Sequence, residues 1–159
     1  MSRHPRIFHL MQLGHRALFR AADQVLQREV GISAVQQGAL FVVSRTAPCH
    51  PSDIARALDL NKSAVTTLVA RLEKAGLVTR KGDPADGRAQ LICLSAKGAE
   101  TIRRSLPLTQ KENAALLAGF SGDEIAVIER FLNQVISRSA RAASAPASPS
   151  PDRSQGVSS

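Results

Sequence analysis

The chain has 159 residues, 43% of them hydrophobic and 3% aromatic, and a formal net charge of +8. This length suits one domain with a tail or two small lobes, and the shortage of aromatic residues indicates a helical core of aliphatic side chains. The charge favours an anionic partner, nucleic acid more often than a membrane surface. No apolar run approaches the roughly 18 residues of a membrane span, and the N-terminal segment is interrupted by Arg, His and Gln, unlike a secretory signal. A cytoplasmic protein without a membrane partner is therefore expected.

Two helices are predicted before the first loop. Apolar residues recur at helical spacing over residues 5–29, and the Val-Gly pair that follows ends this helix. A second helix begins at Ser33, because Gln36 three residues later completes a capping box, and it ends near Arg45. Residues 47–51 contain two prolines and are predicted to form a loop.

The middle of the chain has the order helix, turn, helix, hairpin. A short helix is predicted over residues 52–58 and a longer one over 62–75, with Asn61 as the N-cap of the second. The apolar period then changes from that of a helix to that of a strand. Strands are predicted over 77–81 and 88–94, joined by a turn rich in Asp, Pro and Gly. This order is typical of a winged helix-turn-helix.

Two further helices are predicted after the hairpin. Ser95 caps a long helix that runs to about Leu117. Ser121 and Glu124 form a second capping box that opens the last helix. From about Ser139 the chain is rich in Ala, Ser, Pro and Arg, a composition that cannot bury a core, so a disordered tail is expected.

The second helix of a helix-turn-helix enters the major groove and contacts bases with its N-terminal residues. In this chain those residues carry hydroxyl and methyl groups, which can hydrogen-bond to base edges or pack on a thymine methyl, and Arg71 suits a phosphate. The alternative is an ordinary solvated helix face. With the cations of the hairpin included, the residues predicted to contact DNA are Ser52, Asn61, Lys62, Ser63, Ala64, Thr66, Thr67, Arg71, Arg80, Lys81, Asp86 and Arg88.

The hairpin carries cations on both sides of its turn. Arg80 and Lys81 precede the turn and Arg88 follows it, and a guanidinium inserted into the minor groove responds to groove width and negative potential. Asp86 lies two residues before Arg88, close enough to orient it by a charge-assisted hydrogen bond. The alternative is a surface turn with an incidental ion pair, which contributes little.

These segments resemble the MarR family, the multiple-antibiotic-resistance regulators. The run Asp-Pro-Ala-Asp-Gly-Arg-Ala at residues 83–89 is similar to the wing signature of that family. Residues 94–98 are similar to the start of its long fifth helix, and residues 68–78 to the end of its recognition helix and its first wing strand. The resemblance covers about residues 5–137.

The resemblance implies a mainly α fold with a small antiparallel β-wing, in which terminal helices of two subunits intertwine. It explains why the apolar stripes of the first and last helices have nothing sufficient to cover them in their own chain. A two-fold dimer implies a pseudo-palindromic double-stranded operator with half-sites about one helical turn apart. The predicted domains are 1–32 and 95–138 for dimerisation, 33–94 for DNA binding, and 139–159 as the tail.

Members of the family typically bind a small anionic, often aromatic, effector between the dimer helices and the winged domain. The resemblance therefore implies an effector site on the first helix and the end of the second, where cations and a ring could pair a carboxylate and stack on it. The alternative is a basic face that is solvated or contacts the partner subunit. The candidate residues are His9, Gln12, His15, Arg16, Phe19, Arg20 and Arg45.

Other functions are disfavoured by what the sequence lacks. A peroxide-sensing branch of the family uses a cysteine near the end of the first helix, where this chain has none. Cys49 and Cys93 form neither a CxxC pair nor a zinc spacing, so two free thiols are expected. No nucleophile elbow, phosphate-binding loop or metal-ligand spacing is present, so neither an enzyme nor a cofactor is predicted. A global DNA-binding protein without an effector is the remaining alternative.

Overall fold

The computed structural model describes residues 6–46, 48–87 and 89–144. These residues form two compact units, one ending at Leu116 and one beginning at Leu117. The predicted mainly helical fold with a two-stranded antiparallel wing is confirmed. The elements in chain order are α1 (Ile7–Val30), α2 (Ala34–Arg45), α3 (Pro51–Leu58), α4 (Lys62–Lys74), β1 (Val78–Gly82), β2 (Gln90–Leu94), α5 (Ala96–Leu116) and α6 (Gly122–Ser144).

The junction between α1 and α2 has the predicted stop and start signals. Gly31 ends α1 in the left-handed conformation, at φ +72°, which costs glycine little because it has no Cβ. The capping box is present: the Ser33 amide donates to Gln36 Oε1 at 2.8 Å, and the Gln36 amide donates to Ser33 Oγ at 3.3 Å. Asp23 of α1 also accepts a hydrogen bond from the Ala34 amide at 2.7 Å.

The helix-turn-helix consists of α3 and α4. The sequence placed Pro51 in a loop, but it is the first residue of α3. Proline fits there because the first helical turn needs no amide hydrogen from it and its φ is already helical. Asn61 caps α4 as predicted, its Oδ1 accepting from the Ala64 amide at 2.8 Å. Asp59, in the turn between the helices, has a φ of +51°.

The wing is an antiparallel hairpin in which Arg80 lies opposite Ile92 and Gly82 lies opposite Gln90. A third segment joins it, because the Ile92 amide donates to the carbonyl of Cys49 at 2.8 Å. The sequence predicted that the second strand begins at residue 88, whereas β2 begins at Gln90. Arg88 itself lies outside the described residues.

A continuous apolar core holds the first unit together. Its members come from every helix and strand of that unit, and four of them lie on one face of α4. Leu26 from α1 and Ile102 from α5 connect the longer helices to it. The buried members are Leu26, Ile32, Ala39, Leu40, Val43, Cys49, Ile54, Val65, Leu68, Val69, Leu72, Leu77, Val78, Ile92 and Ile102.

The start of α5 is seated directly on the end of α4. Ser95 Oγ donates to the Gly76 carbonyl at 2.6 Å and accepts from the Gly98 amide at 2.9 Å, which confirms it as the cap. The Lys97 ammonium donates to the Ala75 carbonyl at 2.8 Å. A Cβ on Gly98 would overlap the carbonyl of Leu77, so this contact requires glycine.

The second unit contains α6. Its predicted capping box is present, with the Ser121 amide donating to Glu124 Oε2 at 2.8 Å. The sequence placed the start of a disordered tail at residue 139, but α6 continues to Ser144. Residues 139–144 include three alanines, whose high helix propensity extends the helix. The rest of the predicted tail, 145–159, lies outside the described residues.

Candidate nucleic-acid interface

The exposed face of α4 brings together half of the residues predicted to contact DNA. Burial of Val65, Leu68, Val69 and Leu72 fixes which face of the helix points into the core. Because a helix repeats every 3.6 residues, the residues between them are turned outward. The exposed predicted residues of this helix are Lys62, Ser63, Thr66, Thr67 and Arg71, with Ala64 half-buried beside them.

Two polar side chains at the start of α4 also have a role within the helix. Asn61 is exposed and its amide oxygen holds the first turn. The Thr66 hydroxyl donates to the Lys62 carbonyl at 2.8 Å, which leaves its oxygen lone pairs as acceptors. Asn61 therefore positions the helix, and Thr66 can accept a hydrogen bond from a base amine.

Ser52 lies in the first turn of α3 and is exposed. The turn is fixed by Asp53, whose Oδ2 accepts from the His50 amide at 2.8 Å. Asp53 is also within 3.6 Å of Arg56. Ser52 is thus presented on an ordered helix start, where amide groups and the helix dipole favour an anion such as a phosphate.

The two neighbouring cations of β1 are placed differently. Arg80 Nε donates to Glu73 Oε2 at 2.9 Å, and its Nη1 donates to Gln90 Oε1 at 3.3 Å. The Arg80 side chain is 30% exposed. Lys81, the next residue, is exposed. The sequence treated these two cations alike, but only Lys81 lies on the outer face of the hairpin.

The turn of the wing depends on Asp83, which sequence reasoning did not single out as an individual residue. Its Oδ1 accepts from the Ala85 amide at 2.8 Å, and its own amide donates to the Ala89 carbonyl at 3.1 Å. Its Oδ2 lies 3.8 Å from His50 Nε2. The Asp-Pro turn signal could have indicated this role, because Asp favours turns by bonding to a backbone amide two residues ahead.

The tip of the wing is described only in part. Asp86 is exposed, and its carbonyl accepts from the Ala89 amide at 2.8 Å. Because Arg88 is not among the described residues, the expected contact between Asp86 and Arg88 stays a prediction.

A separate apolar cavity of about 220 Å³ lies between α1, α2 and α5 in the first unit. Of the residues predicted to bind an effector, Phe19 lines it, and the His15 ring lies 4.4 Å from the Phe19 ring. The α5 residues were missed because their polar positions are typical of any amphipathic helix. The lining residues are Leu18, Phe19, Ala22, Ala34, Thr109, Glu112, Asn113 and Leu116.

The other predicted effector residues do not line this cavity. The Arg45 guanidinium lies 5.9 Å from the centre of the Phe41 ring. The remaining four are exposed side chains of α1, namely His9, Gln12, Arg16 and Arg20.

The two cysteines are free, and Cys49 is buried. Burial, followed by the nearby Asp53 and Cys93, raises the pKa of the Cys49 thiol to about 11. Because the thiolate is the reactive form, a thiol with so high a pKa is a poor nucleophile at neutral pH. Cys49 therefore behaves as a core residue.

Large apolar side chains are exposed on α1 and in the second unit. Phe8 is 79% exposed and Leu10 56%. Contiguous exposed apolar patches usually mark interaction surfaces. The exposed apolar residues of the second unit are Phe120, Val127, Phe131, Leu132 and Ile136.

Neither a metal site nor a membrane span is found in the part of the chain that the structure describes. No group of three or more His, Cys, Asp or Glu side chains is placed to hold a metal ion there. None of the helices within those ranges combines the length and apolarity that a crossing would need.

Comparison of the sequence with known families identifies a match to the MarR family over residues 30–89, which span α2 to the wing. A putative transcriptional regulatory protein for the hcr operon of Thauera aromatica is 25% identical over 131 residues. That match covers 80% of this chain and 78% of the relative.

Two solved structures share the fold. The S. aureus MepR–DNA complex matches with a TM-score of 0.76 at 22% identity, covering 86% of this chain and 99% of that one. The PcaV regulator of Streptomyces coelicolor, solved with its natural ligand, matches with a TM-score of 0.70 at 24% identity, covering 86% and 98%. The family and its relatives are transcriptional regulators and not enzymes.

Proposed function

Since residues 30–89 match the MarR family, we propose that the chain is a transcriptional regulator of this family, which binds a pseudo-palindromic DNA operator as a homodimer and represses adjacent genes. The observation that carries this proposal is the exposed polar face of α4 beside the wing. That face carries Lys62, Ser63, Thr66 and Thr67, which are all exposed and are not needed to fill the core. Binding to chromosomal DNA places the protein in the cytoplasm.

Dimerisation is supported by the apolar faces of the terminal helices. Leu10 and Leu13 of α1 are each at least half exposed, and an aliphatic side chain that moves from water into an interface contributes roughly 1.5–3 kcal/mol. A second copy of the chain would cover these residues. Two α4 helices would then face two half-sites on the same side of the duplex.

We propose that a small aromatic, anionic ligand releases the dimer from DNA by binding in the cavity beside Phe19. Phe19 offers a ring face, and His15 in contact with it offers a cation when protonated. Glu112 also lines the cavity, and its negative charge would repel the carboxylate of a ligand. A charged and an uncharged ligand of the same shape therefore distinguish the effects of His15 and Glu112. The PcaV structure with its natural ligand supports effector binding in this fold.

Footprinting of the region upstream of the gene tests the regulator proposal. A protected palindrome is expected, and Arg88→Ala should weaken binding to it by about 1–3 kcal/mol. The net charge of +8 favours the alternative of a global DNA-binding protein. That alternative predicts uniform weak protection along the DNA with no distinct footprint, and such a result would contradict the operator proposal.

Thermal unfolding with benzoate, and with benzamide as the uncharged control, tests the ligand class. A ligand that binds only the native state raises its melting temperature. A rise with benzoate alone is expected. A rise with benzamide alone would show that Glu112 sets the preference and would contradict an anionic effector.

A further inference from the structure

We propose that Arg80 is a positioning residue for DNA binding, which fastens the wing to the end of α4 and carries no phosphate contact of its own. Glu73 of α4 and Gln90 of β2 hold its guanidinium. The inference rests on the proposed DNA-binding function. It separates Arg80 from Lys81, the neighbouring cation of the same strand.

The strand geometry points Arg80 toward the body of the first unit. Successive side chains of a strand alternate between its two faces. Val78, two residues earlier, is buried, and Ile92 directly opposite Arg80 is buried as well. Arg80 therefore shares the inner face of the hairpin with core residues, while Lys81 is on the other face.

The guanidinium of Arg80 bridges a helix and a strand. Glu73 is the next-to-last residue of α4, and Gln90 is the first residue of β2. Arg80 reaches the first at 2.9 Å and the second at 3.3 Å. One side chain thus ties together the recognition helix and both strands of the wing, and its rigid fork of donors suits this geometry.

Because Glu73 is negatively charged, its replacement can either strengthen or weaken DNA binding, and the direction of the change tests the proposal. A carboxylate near DNA repels phosphates, so its loss should strengthen binding if it only competes for Arg80. If Glu73 instead holds the wing through Arg80, its loss should weaken binding despite the gain in positive charge. The two roles of Arg80 therefore predict opposite results for one substitution.

The experiment measures the affinity of the full chain for a fluorescein-labelled duplex from upstream of its own gene, as a function of salt. Glu73→Met and Arg80→Met should each weaken binding about threefold, as expected for an ion pair of this exposure. The double variant should lose no more than Arg80→Met alone, because the loss of Glu73 removes a contact that Arg80→Met has already removed. Neither should change the slope of log affinity against log salt.

Two matched variants serve as controls. Lys81→Met, on the outer face of the same strand, should lower the salt slope by about one, as expected when one phosphate contact is lost. Glu100→Met removes a carboxylate that is paired with Arg103 on α5, and should not weaken binding. This control measures the general effect of losing one negative charge.

Amide hydrogen exchange tests the contact without DNA. Exchange in residues 78–94 should speed up in Glu73→Met and Arg80→Met, but not in Lys81→Met or Glu100→Met. A lower salt slope in Arg80→Met, tighter binding in Glu73→Met, or unchanged exchange in both would overturn the proposal. If the wild-type chain binds no duplex, the proposed function fails, and the exchange experiment still decides whether Arg80 holds the wing.

Discussion

The helices α4 and α1 use their apolar residues in opposite ways. Leu72 of α4 is fully buried within its own chain, whereas Phe8 and Leu13 of α1 are at least half exposed. Only the C-terminal part of α1 joins the core, through Leu26. The chain thus buries the apolar residues of its helix-turn-helix and wing by itself, but leaves large apolar side chains of α1 exposed. In the proposed dimer, covering of these exposed residues would depend on protein concentration, whereas folding of the first unit would not.

The largest expected effect is a loss of stability of the first unit. Gly98→Val would place side-chain atoms against the Leu77 carbonyl and force α5 away from the end of α4. Overpacking of this kind costs about 3 kcal/mol, measured as the free energy of unfolding in urea. Gly82→Ala is the control, since its Cβ would meet nothing within 4 Å. Equal stability of the two variants would contradict the close contact at Gly98.

The next effect is a weaker association between two copies of the chain. Leu13→Glu should raise the dissociation constant of the proposed dimer more than tenfold, since a leucine buried in the interface would contribute about 2 kcal/mol. Sedimentation velocity over a range of concentrations measures this. Gln27→Glu adds the same charge elsewhere on α1, at an exposed position, and should leave the dimer intact. A dimer that survives Leu13→Glu would remove α1 from the interface.

A smaller effect concerns the start of α4. Asn61→Ala removes the acceptor for the Ala64 amide and should destabilise the first unit by about 1 kcal/mol. Asn61→Asp keeps an acceptor and should retain most of the stability. Thermal unfolding compares the three proteins. If the alanine variant matched the wild type, the cap would not contribute to stability.

At neutral pH the smallest effect comes from the Cys49 thiol, because it makes the stability of the core depend on pH only in the alkaline range. The raised pKa of Cys49 means that the thiol stays protonated in the folded chain at pH values where it ionises in the unfolded one. Its contribution to stability is therefore lost as pH rises from 9.0, the ordinary pKa of a thiol, towards about 11.

Urea titrations across that range should show a steeper loss of stability for the wild type than for Cys49→Ala. Cys93→Ala should keep most of the wild-type slope, because burial is the largest cause of the raised pKa of Cys49 and Cys93 is the last of its three causes. Identical slopes for the wild type and Cys49→Ala would contradict the buried thiol.

Sequence periodicity predicted the DNA-binding part well because its signals are local. The helix of Leu68 and Leu72 and the caps at Ser33 and Asn61 each depend on residues within one or two turns. The exceptions were local too. Pro51 was read as a loop residue because proline has two compatible positions, and α6 continues beyond residue 138 because alanine favours the helix even without a core to bury.

The roles of individual side chains were harder to predict because they depend on contacts between distant residues. The period-2 pattern of β1 identified a strand but did not show that Glu73 and Gln90 engage Arg80. The cavity combines Phe19 with residues about ninety positions later, such as Thr109. The spacing of residues within one helix cannot predict that these residues line the same cavity, because this depends on how α5 packs on α1.

The seating of α5 on α4 has a mechanical consequence. Ser95 and Lys97 bind the carbonyls of Gly76 and Ala75 just after α4, and Gly98 packs closely against the carbonyl of Leu77. Because this contact is closely packed, a tilt of α5 would rotate α4 with it as one rigid body. In the proposed dimer on DNA, a small rotation at the cavity would therefore move the two α4 helices out of register with adjacent major grooves.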